Sequence, residues 1–323
     1  MTETWHLMAL AALTGIGLAG AGMPAYLTWA KGHGWGQVVR EEGPQQHLSK
    51  AGTPTMGGLV LILSGLLASF WWPVSSVEMW IFRLVVLSGA ALGFVDDISK
   101  VLKRRNLGLK ARHKLAVQGF VGLLLGIYLV ATRQPAGIAL PWIGFVGGAW
   151  LVMAVTLLVT AGSINAVNLT DGLDGLAAGT SIPALLAMAF ICISSGHPEL
   201  AVGACGLVGA CLGFLWFNAY PARVFMGDTG SLSLGAALAC MALLSGSEFW
   251  LVLVGGVFVI ETLSVIIQVV YFKLTGGKRV FRMSPIHHHF ELGGLHEVQV
   301  TARFTVCGVV LAIVSVLLYC GVL

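Results

Sequence analysis

Apolar runs long enough to cross a bilayer follow one another along nearly the whole chain, and its polar residues collect in short islands between them. A bilayer core of about 30 Å calls for about 20 apolar residues per helix. On that scale the pattern predicts ten spans, at about 5–29, 56–72, 79–98, 115–132, 145–164, 175–195, 200–218, 231–247, 249–273 and 302–322. The division between the eighth and ninth rests on Ser245-Gly246-Ser247-Glu248, which suits a tight turn. The expected fold class is therefore all-α, a polytopic membrane protein whose residues 1–323 form a single integral membrane domain. The longest polar interval, about 274–301, has room for a short helix or hairpin. The N-terminal run does not read as a cleaved signal, because it lacks a basic leader and is too long.

Composition strengthens this picture. The chain is 57% hydrophobic and 10% charged, with a mean hydropathy of +0.89, beyond the usual range of soluble domains. Lipid supplies no hydrophobic drive between helices, so close approach through small residues matters, and the 43 glycines fit that need. Glycines recur four apart at Gly89–Gly93, Gly122–Gly126 and Gly209–Gly213. The six cysteines (Cys192, Cys205, Cys211, Cys240, Cys307, Cys320) lie in apolar runs without metal or redox spacing and read as small core hydrophobes.

Charge gives the orientation. All of the 18 lysines and arginines except Arg83 and Arg133 fall in or beside the loops after spans 1, 3, 5, 7 and 9. The positive-inside rule makes that side cytoplasmic, and ten spans then leave both termini outside. The acidic and histidine islands fall on the same side, whereas Glu3, Glu78, Glu199 and Glu248 are single and on the other.

Four islands carry candidate chemistry. Asp96-Asp97 ends the third span, where the helix dipole and lost hydration both disfavour carboxylates, so a cation is expected nearby: a metal, Lys100 or the basic loop beyond. In Asn168-Leu169-Thr170-Asp171-Gly172-Leu173-Asp174-Gly175, the two acids share a face if helical, and the glycines allow close ligand approach. Gly227-Asp228-Thr229-Gly230 opens the eighth span, where an anion would normally be welcome, and Asp228 there suits a divalent cation. Such oxygen donors favour Mg²⁺ or Mn²⁺ over Zn²⁺. His287-His288-His289 has neither the spacing nor the companions of a zinc site, and fits phosphate better. Each of the three acidic islands also has a plainer reading, as solvated loop acids or a helix cap.

Lys50 lies beside Gly52-Thr53-Pro54-Thr55-Met56-Gly57-Gly58, reminiscent of a phosphate-binding loop, but no Walker motif exists in the chain, which argues against an ATP-driven pump. The seven basic residues of 100–114 (Lys100, Lys103, Arg104, Arg105, Lys110, Arg112, Lys114) read most simply as an anionic-lipid contact. The other histidines read as non-catalytic, with His47, near Lys50, the one to revisit. Together the islands describe one site at the cytoplasmic face, suited to moving a phosphorylated group from a soluble nucleotide compound to a membrane lipid.

The strings GTPTMGG (52–58), FVDD (94–97), NLTDGLDGLA (168–177), FMGDTGSL (225–232) and SPIHHHFE (284–291) resemble those of the phospho-N-acetylmuramoyl-pentapeptide transferases. These belong to the polyprenyl-phosphate N-acetylhexosamine-1-phosphate transferases. The resemblance covers the whole length. The first and last strings separate this branch from sister enzymes that transfer N-acetylglucosamine phosphate. It implies a Mg²⁺-dependent enzyme of the bacterial inner (cytoplasmic) membrane, acting in peptidoglycan synthesis. Its substrates would be UDP-MurNAc-pentapeptide and undecaprenyl phosphate, its products lipid I and UMP. Membrane lipid is a partner, nucleic acid is not, and a homodimer is left open.

The resemblance also implies roles. Asp228 would be the main metal ligand, and Asp96 and Asp97 the acidic pair near the lipid phosphate. Asn168, Asp171 and Asp174 would line the nucleotide-sugar site, with Gly172, Leu173 and Phe225 near the uracil. Lys50, Thr55, Asn218, Gln268, His287, His288 and His289 would complete the polar pocket, with Lys50 and His288 counted among the catalytic residues. Direct attack by the lipid phosphate and a two-step route through a phospho-aspartate both remain open. The competing functions are the sister N-acetylglucosamine-phosphate transferase and a secondary transporter. The latter would place its ionisable groups near mid-bilayer, with paired repeats.

Overall fold

The computed structural model describes residues 2–36, 50, 52–73, 76–103 and 108–322. His47, Arg40, Arg104 and Arg105 lie outside them. The helices in chain order are α1 (Thr2–Gly32), α2 (Gly58–Ala68, continued by a 3₁₀ turn Ser69–Trp71), α3 (Val77–Leu102), α4 (Ala111–Thr132), α5 (Ala149–Thr170), α6 (Leu176–Ser194), α7 (Pro198–Asn218), α8 (Gly227–Leu244), α9 (Glu248–Val254), α10 (Gly256–Leu274), α11 (Ile286–Glu291) and α12 (Glu297–Tyr319). Eight of these are long and apolar enough to cross a membrane: α1, α4, α5, α6, α7, α8, α10 and α12. The other two expected spans are also helical. α2 with its 3₁₀ turn is a shorter apolar helix, and α3 carries Arg83, Asp96 and Asp97, all buried.

Two boundaries differ from the sequence expectation. Residues 145–147, read as the start of the fifth span, belong to strand β2 (Gly144–Gly147), antiparallel to β1 (Gly137–Leu140). This stretch is apolar enough to resemble a span. Pro141 lacks the donor a helix needs, and Gly144 and Gly148 take positive φ of 99° and 143°, so it turns back as a hairpin. The ninth span is two helices abutting at Gly255, and the expected short helix in 274–301 is α11. Cys192, Cys205, Cys211 and Cys240 are buried as expected, but Cys307 and Cys320 are exposed, on an α12 whose outer face is open.

α6, α7 and α8 form the centre, buried over most of their length. Small residues let their neighbours close on them. A β-carbon at Gly209 would fall 2.0 Å from Ala12 O, so α1 lies directly against α7. The spacing Gly89–Gly93 does the same between α3 and α8: a β-carbon at Gly89 would meet Ser233 Cα at 2.9 Å, and one at Gly93 would meet Asp228 O at 2.2 Å. The Gly93 contact sets the site, because it brings the C-terminal turn of α3 against the first turn of α8. Gly93→Ala must push that backbone away. The expected result is a destabilisation of about 1–3 kcal/mol and a loss of activity larger than the stability loss explains. Activity retained at wild-type level in a normally folded Gly93→Ala protein would show that this approach is not needed.

Candidate active site

The acid cluster stands at one end of the bundle, where α3 and α5 finish and α4 and α8 begin. α8 has no side-chain cap of its own. Asp97 supplies one from α3: it accepts hydrogen bonds from Asp228 N (3.1 Å), Thr229 N (2.9 Å) and Thr229 Oγ1 (2.8 Å). The positive φ of Gly227, 75°, turns the chain so that these donors face α3. A carboxylate that is poorly placed for its own helix is thus well placed for the next one.

Asp96 is fully buried and Asp97 nearly so. Asp96 meets Lys100 Nζ at 2.6 Å and Lys114 Nζ at 3.1 Å, and accepts from Leu109 N at 2.6 Å. Asp228 meets Lys114 Nζ at 2.6 Å and Lys100 Nζ at 3.1 Å. Asn168 Nδ2, in the last turn of α5, donates to Asp228 Oδ1 at 3.1 Å and to Ser231 Oγ at 2.9 Å. One oxygen each from Asp96, Asp97 and Asp228 lies within 4.8 Å of the others, and this is the one such group of three among the described residues. Three carboxylates against two ammonium groups leave a net negative charge. The donor set is all hard oxygen, which fits a small divalent cation and not zinc.

Asp171 caps the C-terminus of α5. Burial, then the charges of Asp228 and Asp97, push its carboxyl up to about 8, against the pull of Lys100 and of a hydrogen bond from Gly227 N–H. It is therefore largely protonated at neutral pH. A divalent cation among the neighbouring acids would draw it back toward the charged form.

A second polar cluster sits on the other side of the Asn168–Gly175 loop. Lys50 Nζ lies 2.7 Å from Asp174 Oδ1 and 2.6 Å from Glu297 Oε2. Burial alone would lower the Lys50 ammonium, but its hydrogen bonds to Asp174 and Glu297 outweigh that and raise it, so it stays charged. Asp174 Oδ2 accepts from Ala222 N at 2.9 Å. Asn218 accepts from Gly175 N at 3.1 Å and donates to Val224 O at 2.8 Å, tying this loop to the one before α8.

The Gly52–Gly58 motif works through its backbone. Phe225 N donates to Pro54 O (2.8 Å), Gly57 N to Phe225 O (2.9 Å) and Gly58 N to Met226 O (2.9 Å), so this segment seats the turn that carries Asp228. Thr55 is buried and its carbonyl accepts the Tyr26 hydroxyl.

The three histidines point three ways. His287 is buried against Glu261, at 3.1 Å. His288 Nδ1 lies 2.7 Å from Glu291 Oε2, and His289 accepts from Arg282 N at 3.1 Å. Gln268 accepts from Val280 N and Phe281 N and so holds the loop after α10. Leu173 packs with Leu176 and Val300, and Gly172 lies against His287.

The geometry therefore joins Asp96, Asp97, Asn168, Asp171 and Asp228 in one cluster, and Lys50, Asp174 and Asn218 in a second. Phe225 belongs to the backbone frame, and His288, His289 and Gln268 to the loop around α11. Sequence reading missed Glu297, Glu261 and Thr229 as partners of these groups. Lys114 belongs to the basic stretch 100–114, which reads from sequence both as a counter-charge for Asp96-Asp97 and as an anionic-lipid contact, and the structure gives it the first role. The signal for it was the expected counter-charge at Asp96-Asp97, which required not one lysine but two.

A family model for glycosyl transferase family 4 matches residues 79–246. A model for the phospho-N-acetylmuramoyl-pentapeptide-transferase signature 1 matches residues 50–62. The phospho-N-acetylmuramoyl-pentapeptide-transferase of Shouchella clausii is 46% identical over 326 residues, 99% of both chains. That of Halalkalibacterium halodurans is 44% identical over 300 residues, 91% of this chain and 92% of the relative. That of Desulforudis audaxviator is 47% identical over 297 residues, 87% and 89% respectively.

Proposed function

Because the chain belongs to the phospho-N-acetylmuramoyl-pentapeptide transferases of glycosyl transferase family 4, we propose that it transfers phospho-MurNAc-pentapeptide from UDP-MurNAc-pentapeptide to undecaprenyl phosphate. The products are lipid I and UMP, and the step belongs to peptidoglycan synthesis. Residues 1–323 act as one transferase domain in the bacterial cytoplasmic membrane, with both termini outside. The observation that carries the reading is the trio Asp96, Asp97 and Asp228, oxygens within 4.8 Å of one another, beneath Lys100 and Lys114 at the end of apolar helices.

In this reading Asp228, with Asp96 beside it, would hold Mg²⁺, which when bound neutralises charge on the pyrophosphate. The chain's own residues do the rest. Lys100 and Lys114 lie where they can turn from carboxylate to phosphate oxygens as substrates enter. Asn168 fixes Asp228 from α5, and Asp97 locks the first turn of α8 in register with α3. The second polar cluster, around Lys50 and Asp174, faces the nucleotide part.

An oxygen of the lipid phosphate forms a bond to the phosphorus attached to the sugar, and the bond from that phosphorus to the UMP oxygen breaks. The leaving UMP takes the electron pair. A phosphate monoester has its second pKa near about 6, so the nucleophile is mostly ionised at pH 7 and a strong base is not required. Direct attack is favoured over a phospho-aspartate route because the oxygens of Asp97 are already engaged by Asp228 N, Thr229 N and Thr229 Oγ1. Phospho-aspartate trapped with the nucleotide substrate alone would refute it.

The test is UMP release from purified protein in detergent. It is expected only with both substrates, and is expected to fall to background with EDTA and return with Mg²⁺. Release with UDP-N-acetylglucosamine in place of the MurNAc donor would move the protein to the sister activity.

A further inference from the structure

Behind the Asn168–Gly175 loop lies a pair that the proposed reaction does not use. Glu261, in the second turn of α10, and His287, in α11, are both fully buried. His287 Nδ1 lies 3.1 Å from Glu261 Oε1. The contact is an ion-pair distance only: neither carboxylate oxygen and neither ring nitrogen makes a hydrogen bond, to each other or to any other described residue. The far side of the ring presses on the loop: a β-carbon at Gly172 would fall 2.2 Å from His287 Nε2.

A carboxylate stripped of water is costly unless an N–H or a cation meets it, and His287 is the described group placed to do so. The pairing in turn selects the ring's orientation and leaves Nε2 turned to Gly172. Carboxylates do the same for histidines whose other nitrogen acts elsewhere. The loop is tied at its C-terminal end, through Asp174 and Gly175, and the imidazole supports it further back, at Gly172. α5 ends at Thr170, and Leu173 is the side chain that anchors the next turn, against Leu176 and Val300. Asp171 and Asp174 flank that anchor on either side. Gly172 between them has no side chain of its own, and the imidazole occupies the space a side chain would take.

We infer that Glu261 is a positioning residue for nucleotide-sugar binding: through His287 it braces Gly172, and with it the loop carrying Asp171 and Asp174. The inference rests on the proposal that this loop meets the nucleotide sugar. Leucine at 261 offers Nδ1 no polar neighbour, whereas glutamine presents a carbonyl oxygen in the same place.

The experiment uses the full chain in detergent, with UMP binding followed by calorimetry, initial rates with both substrates, and thermal unfolding. Glu261→Leu is expected to weaken UMP binding and raise KM for the nucleotide sugar about tenfold, with kcat within about threefold. Glu261→Gln is expected to stay within about twofold of the parent in both constants. The support is also read from its other side. Gly172→Ala should weaken UMP binding in the parent but add little once His287→Ala has emptied the space. That cycle carries the test if Glu261→Leu does not fold. Unchanged UMP affinity and KM in a folded Glu261→Leu protein would overturn the inference. So would equal impairment by leucine and glutamine, or strict additivity in the cycle. Failure of the parent protein to bind UMP at all would instead overturn the reading of the loop as the nucleotide site, and the brace with it.

Discussion

Asp228→Asn is expected to lower turnover by about three orders of magnitude or more, in a protein that unfolds at nearly the parent temperature. Asp228 Oδ1 meets Lys100 and accepts from Asn168 Nδ2, while Oδ2 meets Lys114. Asparagine keeps the shape and removes the charge. The cluster then holds two carboxylates against two ammonium groups, and its attraction for a divalent cation disappears with the excess negative charge. The fold has little to lose. The side chain retains 14% exposure, both lysines keep Asp96, and an acidic residue in a first helical turn contributes only about 0.3–1 kcal/mol. Turnover and unfolding measured on one preparation check both halves. Full turnover in Asp228→Asn would refute its assignment as the main ligand. A matching collapse of stability would make the effect structural.

Lys114→Gln should be the next most damaging, lowering kcat/KM about a hundredfold. Lys114 reaches from the first turn of α4 to Asp228 (2.6 Å) and Asp96 (3.1 Å). Its removal acts with opposite signs on the two charged ligands. The acids lose a counter-charge, so less Mg²⁺ should be needed for half-maximal rate. The pyrophosphate loses a cation, so the rate at saturation should fall. A residue at a mere lipid contact would change neither. Arginine is not expected to restore activity, since its planar fork cannot replace a compact ammonium between two carboxylates. A Mg²⁺ requirement that rises in Lys114→Gln would show that the lysine holds the acids in place for the ion instead of competing with it.

The acidic islands stood out in the sequence because charge is rare in this chain and was found at the ends of apolar runs. Even the counter-charge at Asp96-Asp97 was foreseeable, since a helix C-terminus repels carboxylates. What went unseen were partners far away along the chain. Lys114 lies 114 residues from Asp228, and Lys50 lies 247 from Glu297. By sequence Glu297 falls in the loop of about 274–301, before the expected tenth span, and the structure places it in the first turn of α12. The hairpin at 137–147 escaped for another reason. Hydropathy measures how apolar a segment is, and this one is apolar without being helical.

Order along the chain was enough for the succession of helices, the membrane class and the concentration of chemistry at one face. Crossing a bilayer is decided within each segment of about 20 residues, and basic residues orient it loop by loop. Only the packed structure decided what the polar groups do to one another. Gly93 determines how near α3 comes to α8, and that distance makes Asp97 a cap for α8 and leaves Asp96 and Asp228 to share two lysines. Coulombic and hydrogen-bond energies depend on separations of a few ångströms through a buried medium, and those separations come from helix packing, to which sequence distance gives no guide.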